Sequence, residues 1–270
     1  MKDGAKETRE HNISRRQVLK GTGAFAAGAA LTYLGGLVEP AAATGGKTEQ
    51  WPWPYTKLDP AETAEIAYKE WYRVFCGAAI INSVFSQLRE KVGEPYASFP
   101  SDAFVFLEGG QVGWGTICGS PAGANIVANM IIGPRTAGST VGHQIAEEIM
   151  QWYSTAELPV YKPKEPKITT ELPVSVSNSP LCHLSLGRWM KTADRPLSSP
   201  ERKDRCARVA ASTAYKLVEM LNQWQDDDFE SEGDFSYGKK LGIPSQRNCQ
   251  GCHGQKIPVL PRMPENPEKA

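Results

Sequence analysis

From Asp59 onward, stretches whose apolar residues recur every three or four positions alternate with stretches of Gly, Pro and charge. Tyr68, Tyr72, Phe75 and Ala79 keep the helical spacing. Asp59-Pro60-Ala61-Glu62 ahead of them offers an N-cap, a first-turn Pro and an acid at the positive end of the dipole. A helix carrying Cys76 is therefore predicted from about 60 to about 92, with Gly77 as the place for a kink. Phe104-Val105-Phe106-Leu107 then runs into Glu108-Gly109-Gly110-Gln111-Val112-Gly113-Trp114-Gly115. Four glycines between 109 and 115 point to a backbone that must turn rather than pack. An apolar helix is predicted after Cys118 to about Ile132, and another over Ser139–Tyr153 with His143 in its first turns.

Leu158 to Pro173 carries Pro159, Pro163, Pro166 and Pro173 and reads as a linker or a surface-hugging loop. A short helix follows Ser179-Pro180-Leu181-Cys182-His183 and runs through Trp189. Ser199-Pro200-Glu201 opens the clearest helix, which carries Cys206, Val209, Leu217, Met220 and Leu221 to about Trp224. Asp226-Asp227-Asp228 ends it in a polar stretch to Lys240. At the front, Trp51-Pro52-Trp53-Pro54-Tyr55 is extended, because each Pro disfavours helix in the residue before it. Its aromatics suit an arm that covers the core, or an interface. No strand alternates strongly and no repeat is visible, so the expected fold class is mainly α.

The first forty residues change the compartment. Ser14-Arg15-Arg16-Gln17-Val18-Leu19-Lys20 precedes the uncharged run Gly21–Val38. Paired arginines before a mildly apolar run read as a twin-arginine export signal. Ala41 and Ala43 fit small-x-small cleavage, so residues 1–43 are expected to be a signal peptide removed after Ala43. An uncleaved anchor is the alternative; after cleavage no stable membrane span is expected. Export, expected to a bacterial periplasm, places the chain where disulfides persist. This export route resembles the one taken by already folded proteins, which raises the expectation of a cofactor.

Charge narrows the partners. The 270 residues hold 30 Lys+Arg against 30 Asp+Glu. A balanced chain lacks the basic footprint of a nucleic-acid binder. It gives no reason to expect an acidic substrate or an anionic membrane surface.

Six cysteines carry the candidate chemistry. Cys249-Gln250-Gly251-Cys252-His253 has the C-x-x-C-H form of covalent c-type haem (haem c). Two thiols add to the haem vinyl groups, and the adjacent His253 supplies a nitrogen to iron. A plain disulfide or half a zinc site is the other reading. The sixth iron ligand would come from His143, His183 or Met263. Cys76, Cys118, Cys182 and Cys206 are widely spaced, without a zinc-ribbon or ferredoxin run. Two disulfides suit the compartment. Four thiolates around an iron–sulfur cluster suit the export route. Cys118 would also sit at a helix opening, where backbone N–H groups can bond to cluster sulfurs. Cys182 and Cys206 flank a helical hairpin and so can converge.

Gly109-Gly110-Gln111-Val112-Gly113-Trp114-Gly115-Thr116-Ile117-Cys118-Gly119, then Gly123-Ala124, with one Cys before and two after, resembles the C_GCAxxG_C_C redox family. Asn178-Ser179-Pro180-Leu181-Cys182-His183 and Glu201-Arg202-Lys203-Asp204-Arg205-Cys206 fit the same pattern. With the leader and the terminal haem motif, the chain from about Pro60 to His253 is similar to the split-Soret type of cytochrome c. The resemblance implies a mainly helical homodimer with haems near the dimer interface and His on both sides of iron. It also implies a small iron–sulfur centre, expected as a 2Fe–2S cluster, on cysteines matching Cys76, Cys118, Cys182 and Cys206. One departure stands out: that type carries two haems per chain, whereas this chain has one intact C-x-x-C-H. Ser179-Pro180-Leu181-Cys182-His183 has the form S-x-x-C-H, which could hold a haem by one thioether and would take Cys182 from a cluster.

The expected organisation is a signal at 1–43, a helical four-cysteine domain with a Gly-rich loop at 44–225, and a haem-binding segment at 226–270. The expected function is exported electron transfer with haem c and an iron–sulfur cluster. Two alternatives are a haem-dependent periplasmic reductase and a four-cysteine disulfide protein with a single haem. No catalytic acid–base constellation stands out, so an electron carrier is expected over an enzyme, and the redox partner protein is not named by the sequence.

Overall fold

The computed structural model describes residues 51–133 and 140–231. The leader, Cys249, Cys252, His253 and Met263 lie outside the described residues. Helix α1 spans Pro60–Lys91 and starts as its sequence demands: the Asp59 carboxylate accepts the Glu62 N–H at 2.9 Å, and Pro60 takes the first position. A 3-10 helix, Ser101–Leu107, follows. Helix α2 is Gly119–Ile131 and α3 is Val141–Thr155. Strand β1, Glu157–Leu158, pairs antiparallel with β2, Ser175–Val176. Helix α4 is Cys182–Ala193, and α5 is Pro200–Gln225 with Ser199 accepting the Arg202 N–H at 3.2 Å. The mainly α expectation is met.

Helices α1 and α5 form the central pair, and α2 packs on both. The α5 face toward α1 is mostly alanine: Ala207, Ala210, Ala211 and Ala214 have no exposed surface. Small side chains let the two axes approach, and Ile80, Ile81, Phe85 and Leu88 of α1 fill what remains. The Trp51–Tyr55 arm covers this core. Trp53 is buried against Phe85, Tyr96 and Phe99, with its N–H donating to the Met130 carbonyl at 2.9 Å. The Pro-rich segment is a surface-hugging loop bracketed by the β1–β2 pair. Val160 and Tyr161 N–H groups both donate to Ser212 Oγ, and Lys167 N–H donates to Tyr68 Oη at 2.7 Å.

The break in α1 differs from the sequence expectation. It falls at Phe75, with φ 58 and ψ −163, one residue before Cys76. Gly77 is helical and serves a different need. A Cβ there would stand 2.5 Å from Leu107 Cδ1 and 2.9 Å from the Gly119 carbonyl oxygen. A Cβ on Gly123 would meet the Gly77 carbonyl oxygen at 2.5 Å. Glycine at both places lets α1 and the start of α2 touch through backbone. Because the obstacle is backbone, Gly123→Ala must push the helices apart, and a loss of about 1–3 kcal/mol is expected, read from the urea midpoint. A variant with the parent's midpoint would contradict the glycine contact. Among the described residues no helix is long and apolar enough to cross a membrane.

Candidate metal centre

Four separate pieces of chain bring the four spaced cysteines to one place. Cys76 follows the break in α1. Cys118 is the N-cap of α2, Cys182 is the first residue of α4, and Cys206 lies in the second turn of α5. The segments before α2 and α4 are zipped together by backbone. Ile117 and Leu181 form an antiparallel bridge, Cys118 N–H donates to the Pro180 carbonyl at 2.8 Å, and Cys182 N–H donates to the Thr116 carbonyl at 2.7 Å. This pairing sets Cys118 beside Cys182, and the Cys182 thiol donates to the Cys118 sulfur. The glycine contact performs the same task for Cys76: a Cβ on Gly119 would lie 2.7 Å from Cys76 Cβ.

The Gly-rich loop closes over the pocket. Gly109, Gly110, Gln111, Val112, Gly113 and Gly115 all have positive φ. Gly110 is the position that demands glycine most, since a Cβ there would meet Cys182 Cβ at 2.8 Å and Thr116 N at 2.6 Å. The loop's outer side carries exposed Val112 and Trp114.

All four cysteines are free thiols, Cys76 and Cys118 buried and the other two half-buried. Burial, with the charges of Cys118 and Cys206, pushes the Cys76 thiol up to about 12. Trp71 Nε1–H, at 3.4 Å, and the Gly109 N–H donate to its sulfur and work the other way. The hydrogen bond from Cys182 pulls Cys118 down to about 6 against burial, helped by Tyr153, the Ser120 N–H and the Arg205 charge. The same bond, with burial and the charges of the other three cysteines, pushes Cys182 up. Tyr153, fully buried, is raised mainly by burial. Its hydroxyl donates to Ser185 Oγ at 2.9 Å.

The donor set fits an iron–sulfur cluster. Four sulfurs of soft character, drawn from four segments, two buried and two half-buried, are the ligands such clusters take. Backbone N–H groups of Gly109 and Ser120 already point at the sulfurs of Cys76 and Cys118. Among the described residues, no group of three or more His, Cys, Asp or Glu is gathered tightly enough to hold a single metal ion. Ligands shared between two irons stand further apart than those of one ion. Loading such a site deprotonates the thiols, and the hydrogen bonds that reach Cys118 favour its anionic form.

The remaining sequence candidates are distributed differently. His183 is exposed next to Cys182, its N–H donating to the Gly115 carbonyl at 3.1 Å. His143 is half-buried in the first turn of α3. Ser179, the leading residue of S-x-x-C-H, is buried, and its Oγ accepts the Leu181 N–H at 3.1 Å. Cys182 itself lies beside Cys118 in the cysteine pocket. Sequence reasoning missed Arg205, Tyr153, Ser185 and Trp71. Arg205 stands in the charged run Glu201–Arg205 near the start of α5; the available signal was its place directly before Cys206.

A family model for redox-active proteins of the C_GCAxxG_C_C type matches residues 76–220, a span that starts at Cys76 and holds all four pocket cysteines. A twin-arginine translocation signal model matches residues 12–32. The chain is 32% identical over 259 residues to the split-Soret cytochrome c of Desulfovibrio desulfuricans (strain ATCC 27774), covering 91% of this chain and 88% of that one. The solved structure of that cytochrome, described as containing a novel iron centre, superposes with a TM-score of 0.64 at 32% identity and covers 78% of this chain and 87% of its own.

Proposed function

The chain belongs to the C_GCAxxG_C_C family of redox-active proteins and carries a signal for export across the membrane, and from that premise we propose that it is a periplasmic electron carrier with covalent haem c and an iron–sulfur cluster. The observation that carries this reading is the meeting of Cys76, Cys118, Cys182 and Cys206 as free thiols in one sheltered pocket. These four would hold a 2Fe–2S cluster. Cys249 and Cys252 would bind haem as thioethers, with His253 on one side of iron and His183 or His143 as candidates for the other. When bound, haem and cluster each supply a one-electron site. The chain's own part is to exclude water, aim the Trp71, Gly109 and Ser120 N–H groups at the sulfurs, and fix the cysteines at the break in α1, at the starts of α2 and α4, and in the second turn of α5. The similarity to a split-Soret cytochrome c with an iron centre supports the cofactor pair. A homodimer, paired about a two-fold axis, completes the proposal.

The test is total iron per covalent haem on protein matured in a host that attaches c-type haem. A ratio of about three is expected, two non-haem irons beside one haem. A ratio near one would leave haem as the sole iron and overturn the cluster.

A further inference from the structure

We propose that Arg205 is the fixed countercharge of the four-cysteine pocket and sets the reduction potential of the centre held there. The inference rests on the iron–sulfur reading above and adds a residue outside the ligand set.

Arg205 is 2% exposed. A charge that far from water needs a partner, because its desolvation is otherwise uncompensated. Among the described residues it makes no ion pair with a carboxylate. The neighbouring Asp204 is taken by Arg208, Nε to Oδ2 at 2.7 Å. Arg205 Nη2 donates to neutral acceptors, Ser185 Oγ at 2.8 Å and, weakly, the Ser185 carbonyl at 3.4 Å. Its Nε is buried with no acceptor at good hydrogen-bond geometry. The negative charge to answer it would be that of the centre held by the cysteines, and Arg205 directly precedes Cys206 on α5. Ser185 fixes the orientation, because its Oγ is shared by Arg205 and by Tyr153, which packs against Cys118.

A cation held beside a cluster favours the state with one more electron, so Arg205 raises the potential. Guanidinium suits the position, being charged at every working pH and less strongly hydrated than an ammonium.

The experiment uses the full, haem-loaded chain and three proteins: parent, Arg205→Gln and Arg205→Lys. The potential of the non-haem centre is read by titration with electron paramagnetic resonance of the reduced state. In Arg205→Gln the oxidised-to-reduced ratio at fixed poise should rise at least tenfold, a fall of about 59 mV for a one-electron couple. Arg205→Lys keeps the charge and should recover most of it. A loaded Arg205→Gln protein with the parent's potential overturns the role of Arg205 and leaves the cluster reading intact. Absent non-haem iron in the parent overturns the cluster reading itself. If Arg205→Gln does not accumulate, the parent labelled with nitrogen-15 arginine decides. An arginine nitrogen coupling to the reduced centre supports the contact, and its absence overturns it.

Discussion

Replacing Cys118 by Ser abolishes binding of non-haem iron and leaves the covalent haem in place; that is the result expected from the geometry of the pocket. The substitution changes little in size, and a hydroxyl can still accept from Cys182 and from the Ser120 N–H. What it removes is the thiol that is already drawn down to about 6 by the Cys182 hydrogen bond. A serine hydroxyl keeps its proton where a thiol gives it up to iron, so an anionic sulfur ligand is lost. Cys76→Ser, Cys182→Ser and Cys206→Ser are expected to act in the same direction, because each sulfur comes from a different segment and none has a spare nearby. Iron per haem should fall from about three to about one in each variant, with the alkaline pyridine haem spectrum unchanged. Full iron in all four variants would mean that the pocket is not the binding site.

The parts of this centre legible in the sequence were those with local chemistry. The caps Asp59 and Ser199, each followed by Pro, marked the starts of α1 and α5, and both start there. Cys118 at a glycine turn before an apolar run marked a helix opening, and it is the N-cap of α2. The family pattern was readable because its glycines and cysteines answer to fixed needs. Gly110 makes room for Cys182, and Gly119 for Cys76.

What was not legible depends on contacts distant in the chain. The break in α1 was expected at Gly77, the residue with the freest backbone, but it falls at Phe75, whose exposed ring lies edge-on to Trp71. Gly77 instead answers to Leu107 and Gly119, thirty and more residues away. The burial of Asp204, Arg205 and Arg208 was equally hidden. Three charges within five residues near a helix start look solvated, and only the packing of α1 and the Pro-rich loop against Asp204 and Arg208, and of α4 against Arg205, takes them out of water.

Asp204→Ala should be the most destabilising single change among these three residues. The Asp204 side chain has no exposed surface and accepts from Tyr68 Oη, from Tyr72 Oη at 2.7 Å and from Arg208 Nε at 2.7 Å. Burial first, then hydrogen bonding that includes Asp204, holds both phenols above their ordinary pKa, so they stay protonated and donate. Removing the carboxylate strands two hydroxyls and leaves the Arg208 guanidinium, on a side chain only 10% exposed, without its countercharge. Breaking one side of a buried pair costs about 3–5 kcal/mol, a large part of a domain's total stability. For a chain of this size that is a fall in Tm on the order of 10 °C. The contrast is Lys57–Asp226, whose side chains are 48% and 43% exposed; Asp226→Ala should cost no more than about 1 kcal/mol. Charge and packing separate in the double variant. If the stranded guanidinium is the main cost, Asp204→Ala with Arg208→Met should be more stable than Asp204→Ala alone. An Asp204→Ala loss as small as that of Asp226→Ala would mean that water reaches this pair in solution. Arg205 and Cys206 follow Asp204 directly but point to other sides of α5, so the Asp204 network also fixes the register in which the helix presents its cysteine.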